Sequence, residues 1–397
     1  MGRFGFREIA MSRGLPVAIS SVGCVSALGL GMEENSEALR SSRSGIRRVE
    51  LFDTRGCRCQ TAGEIDSGAL RKAAAAVHAP AARWSRAAQM VLVAMAEALE
   101  NRPEFCPEVV VVGTTSGGMD LGQQFYRAFS RGLRLDVAAR RVVNYPPQMP
   151  VLQALEAMGC QAPVRVVSNA CASGANALGM AWQLVSSGRC RRVLAGGYDA
   201  LCELVFAGFD CLQASTPELC RPFDAQRTGL VLGEGAAMFC VESEGEFDVL
   251  GYGAATDIHH LTQPDPSGWG PAEAMKAALD VAGWPRVDYI NAHGTATPQN
   301  DACEALAIAG VCPGVPVSST KAATGHTLGA AGAIEAAFCL AAMRGNFLPA
   351  TLNFERCDPA CPLDVIAGCA RMVDCRVALS NSFGFGGANA ALVLQRR

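Results

Sequence analysis

Six short apolar runs set the strongest constraint on how this chain folds: 109–117 (VVVVGTTSG), 164–170 (VRVVSNA), 192–200 (RVLAGGYDA), 248–257 (DVLGYGAATD), 289–296 (YINAHGTA) and 315–321 (VPVSSTK). They are β-branched and largely continuous, and longer stretches with helical spacing lie between them. A strand that is apolar on both faces must be covered on both, so the pattern predicts α/β layers with helices on each side of the sheets. With 397 residues, 50% hydrophobic and 18% charged, the chain has enough apolar length for a large core or two fused halves.

The polar patch ESEGEF at 242–247 separates two stretches with a shared plan. In the first, a buried strand ending at Ser168-Asn169 leads into ACASGANALGMAWQLVSSG; in the second, a strand ending at Ser318-Ser319-Thr320 leads into KAATGHTLGAAGAIEAAFCLAAMRG. Each reads as strand, serine-containing turn, small-residue helix of about five turns, then glycine, with Gly174 and Gly325 as counterparts. A repeat of this kind places the two turns at the N-termini of related buried helices in neighbouring positions. The expected division is a frayed extension over 1–15, which contains a second methionine at Met11, then halves over 16–246 and 247–397.

A net charge of -3 leaves no electrostatic footprint for nucleic acid, and no Lys/Arg run points to an anionic membrane surface. No apolar stretch approaches the roughly 18 residues of a bilayer span, and MGRFGFREIAMSRG lacks the apolar region of a signal peptide. A cytoplasmic protein is expected. The 18 cysteines are scattered through apolar segments such as AAMFCVES, as small buried hydrophobes rather than a disulfide framework. The closest pairs, Cys57/Cys59 and Cys357/Cys361, have neither a second pair nor a histidine at zinc-site spacing, so no metal is expected.

Cys171 stands apart because its strand should turn there into a helix, exposing the thiol to unpaired N–H groups and the positive end of the helix dipole. Both effects favour thiolate. Ala172, Ser173, Gly174 and Ala175 are small enough to let a substrate approach, although the segment alone fits a packed cysteine in a tight turn better. Two of the five histidines, His293 in NAHGTATPQND and His326 in STKAATGHTLG, sit in glycine-flanked turns at strand ends, where structural and proton-transfer roles weigh equally. NSFGFGGAN at 381–389 either presents backbone N–H groups to an oxyanion or simply connects two strands. It lacks the strand-before, helix-after context of a dinucleotide fingerprint, which excludes nicotinamide or flavin binding.

Taken in order, NACASGAN, RPFDAQRTGLVLGEGA, NAHGTATPQND, SSTKAATGHTLGAAGAIEA and SNSFGFGGAN resemble the β-ketoacyl-acyl-carrier-protein synthases of the type II elongating group, over nearly the whole chain from Pro16 to Leu394. The resemblance implies a thiolase-like fold, a five-layered αβαβα sandwich of two similar halves. It also implies a homodimer, or a heterodimer with a paralogous chain, and no metal or redox cofactor, the phosphopantetheine arriving on an acyl carrier protein. The implied nucleophile is Cys171 and the implied active-site histidines are His293 and His326; Lys321 and Glu335 match the family's lysine and buried glutamate, a pair expected to orient His326. The N–H groups of Cys171 and Phe385 would form the oxyanion hole. Thr295 and Thr297 match positions that bond the pantetheine arm, Phe385 a gating phenylalanine, and Phe209 an aromatic beside the cysteine; Phe383 is a further substrate-binding candidate. The implied reaction is a decarboxylative Claisen condensation, in which the sulfur of Cys171 first takes an acyl group and then yields it to the enolate of malonyl-carrier protein.

The chain departs from the family's pattern at Arg227-Thr228-Gly229, where an aspartate commonly follows the arginine, at Ala388, where a polar residue is common, and in a short connection from Ser243 to Leu250. Ser116 stands where elongating enzymes often carry a branched residue, which suggests a wide or polar acyl tunnel. For an acidic carrier protein a basic rim is expected, with Arg83, Arg86, Arg131, Arg134, Arg140 and Arg141 as candidates. These departures lean toward a condensing enzyme of polyketide or polyene synthesis rather than a housekeeping elongase. A degradative thiolase would carry a second catalytic cysteine in SFGFGGAN, and a starter-unit synthase would have an asparagine at one histidine position. A non-catalytic chain-length partner would have lost Cys171.

Overall fold

The computed structural model describes residues 14–397, so the expectation of a frayed extension lies, up to Arg13, outside the described residues. The main strands are β1 (Ala18–Ser26), β2 (Val109–Gly113), β3 (Val164–Val167), β4 (Val193–Asp199), β5 (Gly235–Glu242), β6 (Phe247–Thr256), β7 (Tyr289–Asn291), β8 (Val317–Ser318), β9 (Val377–Gly384) and β10 (Ala388–Arg396). They follow the order β8-β7-β9-β10-β6-β1-β5-β4-β2-β3, and β1 and β6 join the two halves through only two residue pairs. Numbered within its own half, each half has the order 3-2-4-5-1. In both halves strands 3, 2 and 4 are parallel, and the 4–5 and 5–1 pairs are antiparallel. The internal repeat is therefore a repeat of topology.

Alternation along the strands builds the layers. Val109 and Val111 face inward to a central core, whereas Val110 and Val112 face outward to a second core built on α1 (Arg86–Glu100). In the other half, Ala378 and Leu392 face the central core, while Leu379 and Val393 face α3 (Trp269–Ala282) and α4 (Pro298–Val311). Between the half-sheets lie α2 (Ser173–Ser186) and α5 (Ala331–Gly345), completing helix, sheet, helices, sheet, helices. The two central helices touch backbone to backbone: a Cβ on Gly174 would come within 2.8 Å of Ala333 N, and one on Gly332 within 2.7 Å of Ala175 N.

Three sequence expectations change here. The counterpart of Gly174 is Gly332, each being second in its helix. Gly325 instead ends an extra helical turn, Lys321–Thr324, with φ 72°, and a 3-10 turn Leu328–Ala330 follows before α5 begins. The strand before Cys171 is not buried: β3 is the sheet edge and half-exposed. Leu328–Gly345 does have the length and apolarity of a membrane span, but 89% of it is buried inside the fold, as expected of a core helix.

Candidate active site

Segments that follow parallel strands of both halves, β3 in the first and β7, β8 and β9 in the second, meet at one cavity of about 360 Å³, lined by Cys171, His293, His326, Thr295, Thr297, Phe209, Phe383 and Phe385 among others. Sites at the carboxyl ends of parallel strands follow from the topology, because the chain must leave those ends in loops. After β3 the chain turns through Ala170 at φ 54°. Ser173 Oγ locks this turn, accepting from Asn169 N at 2.9 Å and donating to the Ala170 carbonyl at 2.6 Å. Cys171 is thereby set two residues before α2 begins, with 7% of its surface exposed.

The second half closes around the sulfur. His326 Nε2 lies 3.0 Å from Cys171 Sγ, and the ring of His293 stands edge-on to that of His326, with 5.2 Å between centroids. The Phe385 N–H faces the sulfur, and Gly384 must lack a Cβ, which would come within 2.9 Å of Cys171 N. Phe385 is 36% exposed and stacks on Phe209 at 5.7 Å, while buried Phe383 lies against His293. Thr295 and Thr297 share a hydrogen bond of 2.9 Å on the cavity wall. Thr228 also lines the cavity and bonds Thr216 at 2.6 Å, so the departure at Arg227-Thr228-Gly229 anchors its loop through a hydroxyl.

Electrostatics correct the expected thiolate. Burial pushes the Cys171 thiol up to about 12, and the Lys321 charge and Phe385 N–H only partly offset it. A sulfur in a low-dielectric pocket loses more hydration than a helix terminus returns. Both imidazoles are held well below their ordinary range, by burial first and then by the Lys321 charge, so both are neutral. Lys321 pairs with Glu335 inside the fold, and burial pushes that carboxyl up to about 7 against the pull of Lys321. The pair does not orient His326 by contact. Among the described residues neither imidazole Nδ1 has a hydrogen-bond partner, so the pair reaches the histidines as a field.

Other candidates lie elsewhere. Ser116 does not line the cavity; its hydroxyl donates to buried Asp199 at 2.6 Å, so it lends the cavity no polarity. Arg86 cannot dock a partner: its side chain is 13% exposed and bound to Glu234, Ser67 and the Ile65 carbonyl. Arg83, Arg131, Arg134, Arg140 and Arg141 are exposed, Arg134 paired to Asp136, and none lines the cavity. Two carboxylates escaped the sequence reading. Glu304 of α4 accepts from His293 N at 2.8 Å and Gly294 N at 2.7 Å, and Asp199 accepts from Thr115 N and Ser116 N at 2.9 and 2.8 Å. Their only sequence signal was an acid inside an otherwise apolar segment.

Comparison with known proteins now decides the family. The pattern of the β-ketoacyl synthase N-terminal domain matches residues 15–246, and that of the β-ketoacyl synthase C-terminal domain matches 247–355. The chain belongs to the β-ketoacyl synthase family. A 3-oxoacyl-[acyl-carrier-protein] synthase 2 of Staphylococcus aureus is 32% identical, covering 97% of this chain and 99% of that one. Among solved structures of the family, the ishigamide ketosynthase/chain length factor superposes with a TM-score of 0.87 at 31% identity, over 97% of this chain and 100% of that one. A β-ketoacyl synthase from Burkholderia phymatum gives 0.84 at 32%, over 96% and 100%. The thiolase-like architecture is thus shared across the ketosynthase family.

Proposed function

We propose that this chain is an acyltransferase that condenses an acyl group held on Cys171 with malonyl-acyl-carrier protein, giving 3-oxoacyl-carrier protein and carbon dioxide. The observation that carries the reading is the 3.0 Å contact between Cys171 Sγ and His326 Nε2, with a second neutral imidazole beside it. A thiol held near 12 needs a base at the moment of attack. His326 accepts the proton as sulfur bonds to the incoming acyl carbon, and returns it to the departing pantetheine sulfur. In the second step carbon dioxide leaves the malonyl group, and charge collects on its thioester oxygen. A neutral imidazole suits that oxygen because one ring nitrogen carries an N–H to donate; His293 supplies such a bond, and His326 joins it in the tautomer that carries its proton on Nε2. The enolate carbon then attacks the Cys171 thioester carbonyl, its oxyanion meeting the Cys171 and Phe385 N–H groups, and sulfur leaves as the thiolate, which takes one proton from solvent to restore the thiol.

The reading needs no metal or redox cofactor, because the pantetheine thiol is delivered by the carrier protein. We assign Thr295 and Thr297, on the cavity wall, to bonding the amides of its arm. The partners are acyl carrier protein and a second ketosynthase-like chain, either a copy of this one or a paralogue; the ishigamide relative, a ketosynthase/chain length factor, supports the paralogue. The relatives include both a 3-oxoacyl-carrier-protein synthase and a ketosynthase/chain length factor, so fatty acid and polyketide or polyene synthesis are both within the reading. We place the protein in the cytoplasm, supported by eighteen free thiols, which suit a reducing compartment.

The deciding experiment incubates the protein with a panel of acyl-carrier proteins and malonyl-carrier protein, following acyl mass on Cys171 and product on the carrier. Selective acylation of Cys171 with 3-oxoacyl product supports the reading. Acylation spread over many cysteines with no product overturns it and leaves the non-catalytic partner role.

A further inference from the structure

Asp199 ends β4 with no exposed surface and accepts five hydrogen bonds. Thr114 Oγ1, Ser116 N and Ser116 Oγ donate to Oδ1 at 2.8, 2.8 and 2.6 Å; Thr115 N and Gly329 N donate to Oδ2 at 2.9 and 2.6 Å. Four of these donors belong to the first half and Gly329 to the second. Both arms continue to the reacting groups. Thr115 Oγ1 donates to the Ala170 carbonyl at 3.2 Å, immediately before Cys171, and Gly329 lies three residues past His326 in the 3-10 turn. The contact has no slack, because a Cβ on Gly329 would stand 2.5 Å from Thr115 N.

An apolar side chain would close the same space without desolvating a carboxylate. What a carboxylate adds is direction: two oxygens that fix five donors from two segments at once.

We propose that Asp199 is a positioning residue that sets the Cys171–His326 contact, holding the nucleophile loop through Thr115 and the histidine turn through Gly329. An Asn at 199 would point N–H groups at donors. Thr115→Val would cut only the arm to Ala170 and leave the Thr115 N–H bond in place. The proposal rests on the condensation reading for its kinetic consequence alone.

The test therefore uses two readouts on the full chain: alkylation of Cys171 by iodoacetamide, which needs no carrier protein, and condensation with acyl- and malonyl-carrier proteins. Asp199→Asn should lower kcat at least thirtyfold, with KM for the carrier substrates within threefold, and should slow Cys171 alkylation at neutral pH more than threefold even though it removes a charge that holds the thiol up. Thr115→Val should slow alkylation three- to tenfold, with thermal unfolding within a few degrees of the parent. A folded Asp199→Asn protein with alkylation and kcat within threefold of the parent overturns the proposal. Should that variant not fold, Thr115→Val decides alone, and parental alkylation rejects the idea. A parent that makes no condensation product while both variants still slow alkylation would reject the condensation reading and keep this one.

Discussion

The two halves of this molecule share one strand order and one pair of central helices, yet they hold different chemistry at equivalent places. After the second strand of each half comes a tight turn whose consecutive N–H groups are capped by a buried carboxylate: Thr115 and Ser116 on Asp199, His293 and Gly294 on Glu304. The first turn carries hydroxyls and the second an imidazole. After the third strand, the first half runs through one locked turn into its central helix and offers a thiol. The second half inserts Lys321–Thr324 and Leu328–Ala330 and offers an amine and an imidazole. Each half also buries an ion pair, Arg86–Glu234 away from the cavity and Lys321–Glu335 close enough for its charges to act on the sulfur. A repeated scaffold thus brings strand ends from both halves to one cavity. In the proposed reaction the side chains of the two halves divide the work, with the nucleophile from one half and the proton handling from the other.

The sharpest break of this division is Cys171→Ala, which should lower condensation by roughly 10³-fold or more. The retained imidazoles should still decarboxylate malonyl-carrier protein, measured as carbon dioxide release; loss of both activities together would mean the halves do not act separately.

The two ion pairs come next. Removing one partner of a buried pair costs about 3–5 kcal/mol, so Arg86→Met and Lys321→Met should both lower stability by that order in denaturant unfolding. Only Lys321→Met should also raise the imidazole pKa values of His293 and His326, because only that charge opposes their protonation. Histidine NMR titration checks this, and equal effects from both variants would erase the distinction. In the parent, both imidazoles stay neutral as pH falls through 6.5, so decarboxylation should not decline there on their account.

The capped turns differ by a smaller margin. Burial raises the Glu304 carboxyl from 4.5 to about 7, so the folded state holds a proton that the unfolded chain releases. Its contribution is therefore present below pH 4.5 and is lost as pH rises through about 7. Glu304→Gln, uncharged throughout, should flatten the stability profile across that window, and an unchanged slope would contradict the assignment. Smallest of all, Ser116→Ala removes one of Asp199's five donors, and should cost about 1 kcal/mol with kcat within threefold. A marked change in acyl-chain preference would instead restore Ser116 to the tunnel.

The layered α/β class and the three residues that meet in the cavity, Cys171, His293 and His326, were legible because each leaves a local mark. Continuous apolar runs need two-sided cover, and small residues around Cys171 and glycines around His293 and His326 signal tight turns. The ionisation of Cys171 was not legible, since helix position can be read from neighbours in sequence while burial depends on the whole fold. Arg86 and Ser116 misled for the same reason. An arginine after Trp84-Ser85 and a serine in a glycine-rich turn look exposed until Glu234, just before β5, and Asp199, at the end of β4, come in from remote positions.

By itself, then, the amino-acid order determined which segments become strands and helices, and which side chains carry reactive groups, because both are set within a few residues. The tertiary structure decided their company. Cys171 and His326 are 155 positions apart and meet at 3.0 Å, and burial keeps the thiol protonated and both imidazoles neutral. Distance and solvation belong to the folded chain, because only packing brings remote segments together and removes the water between them.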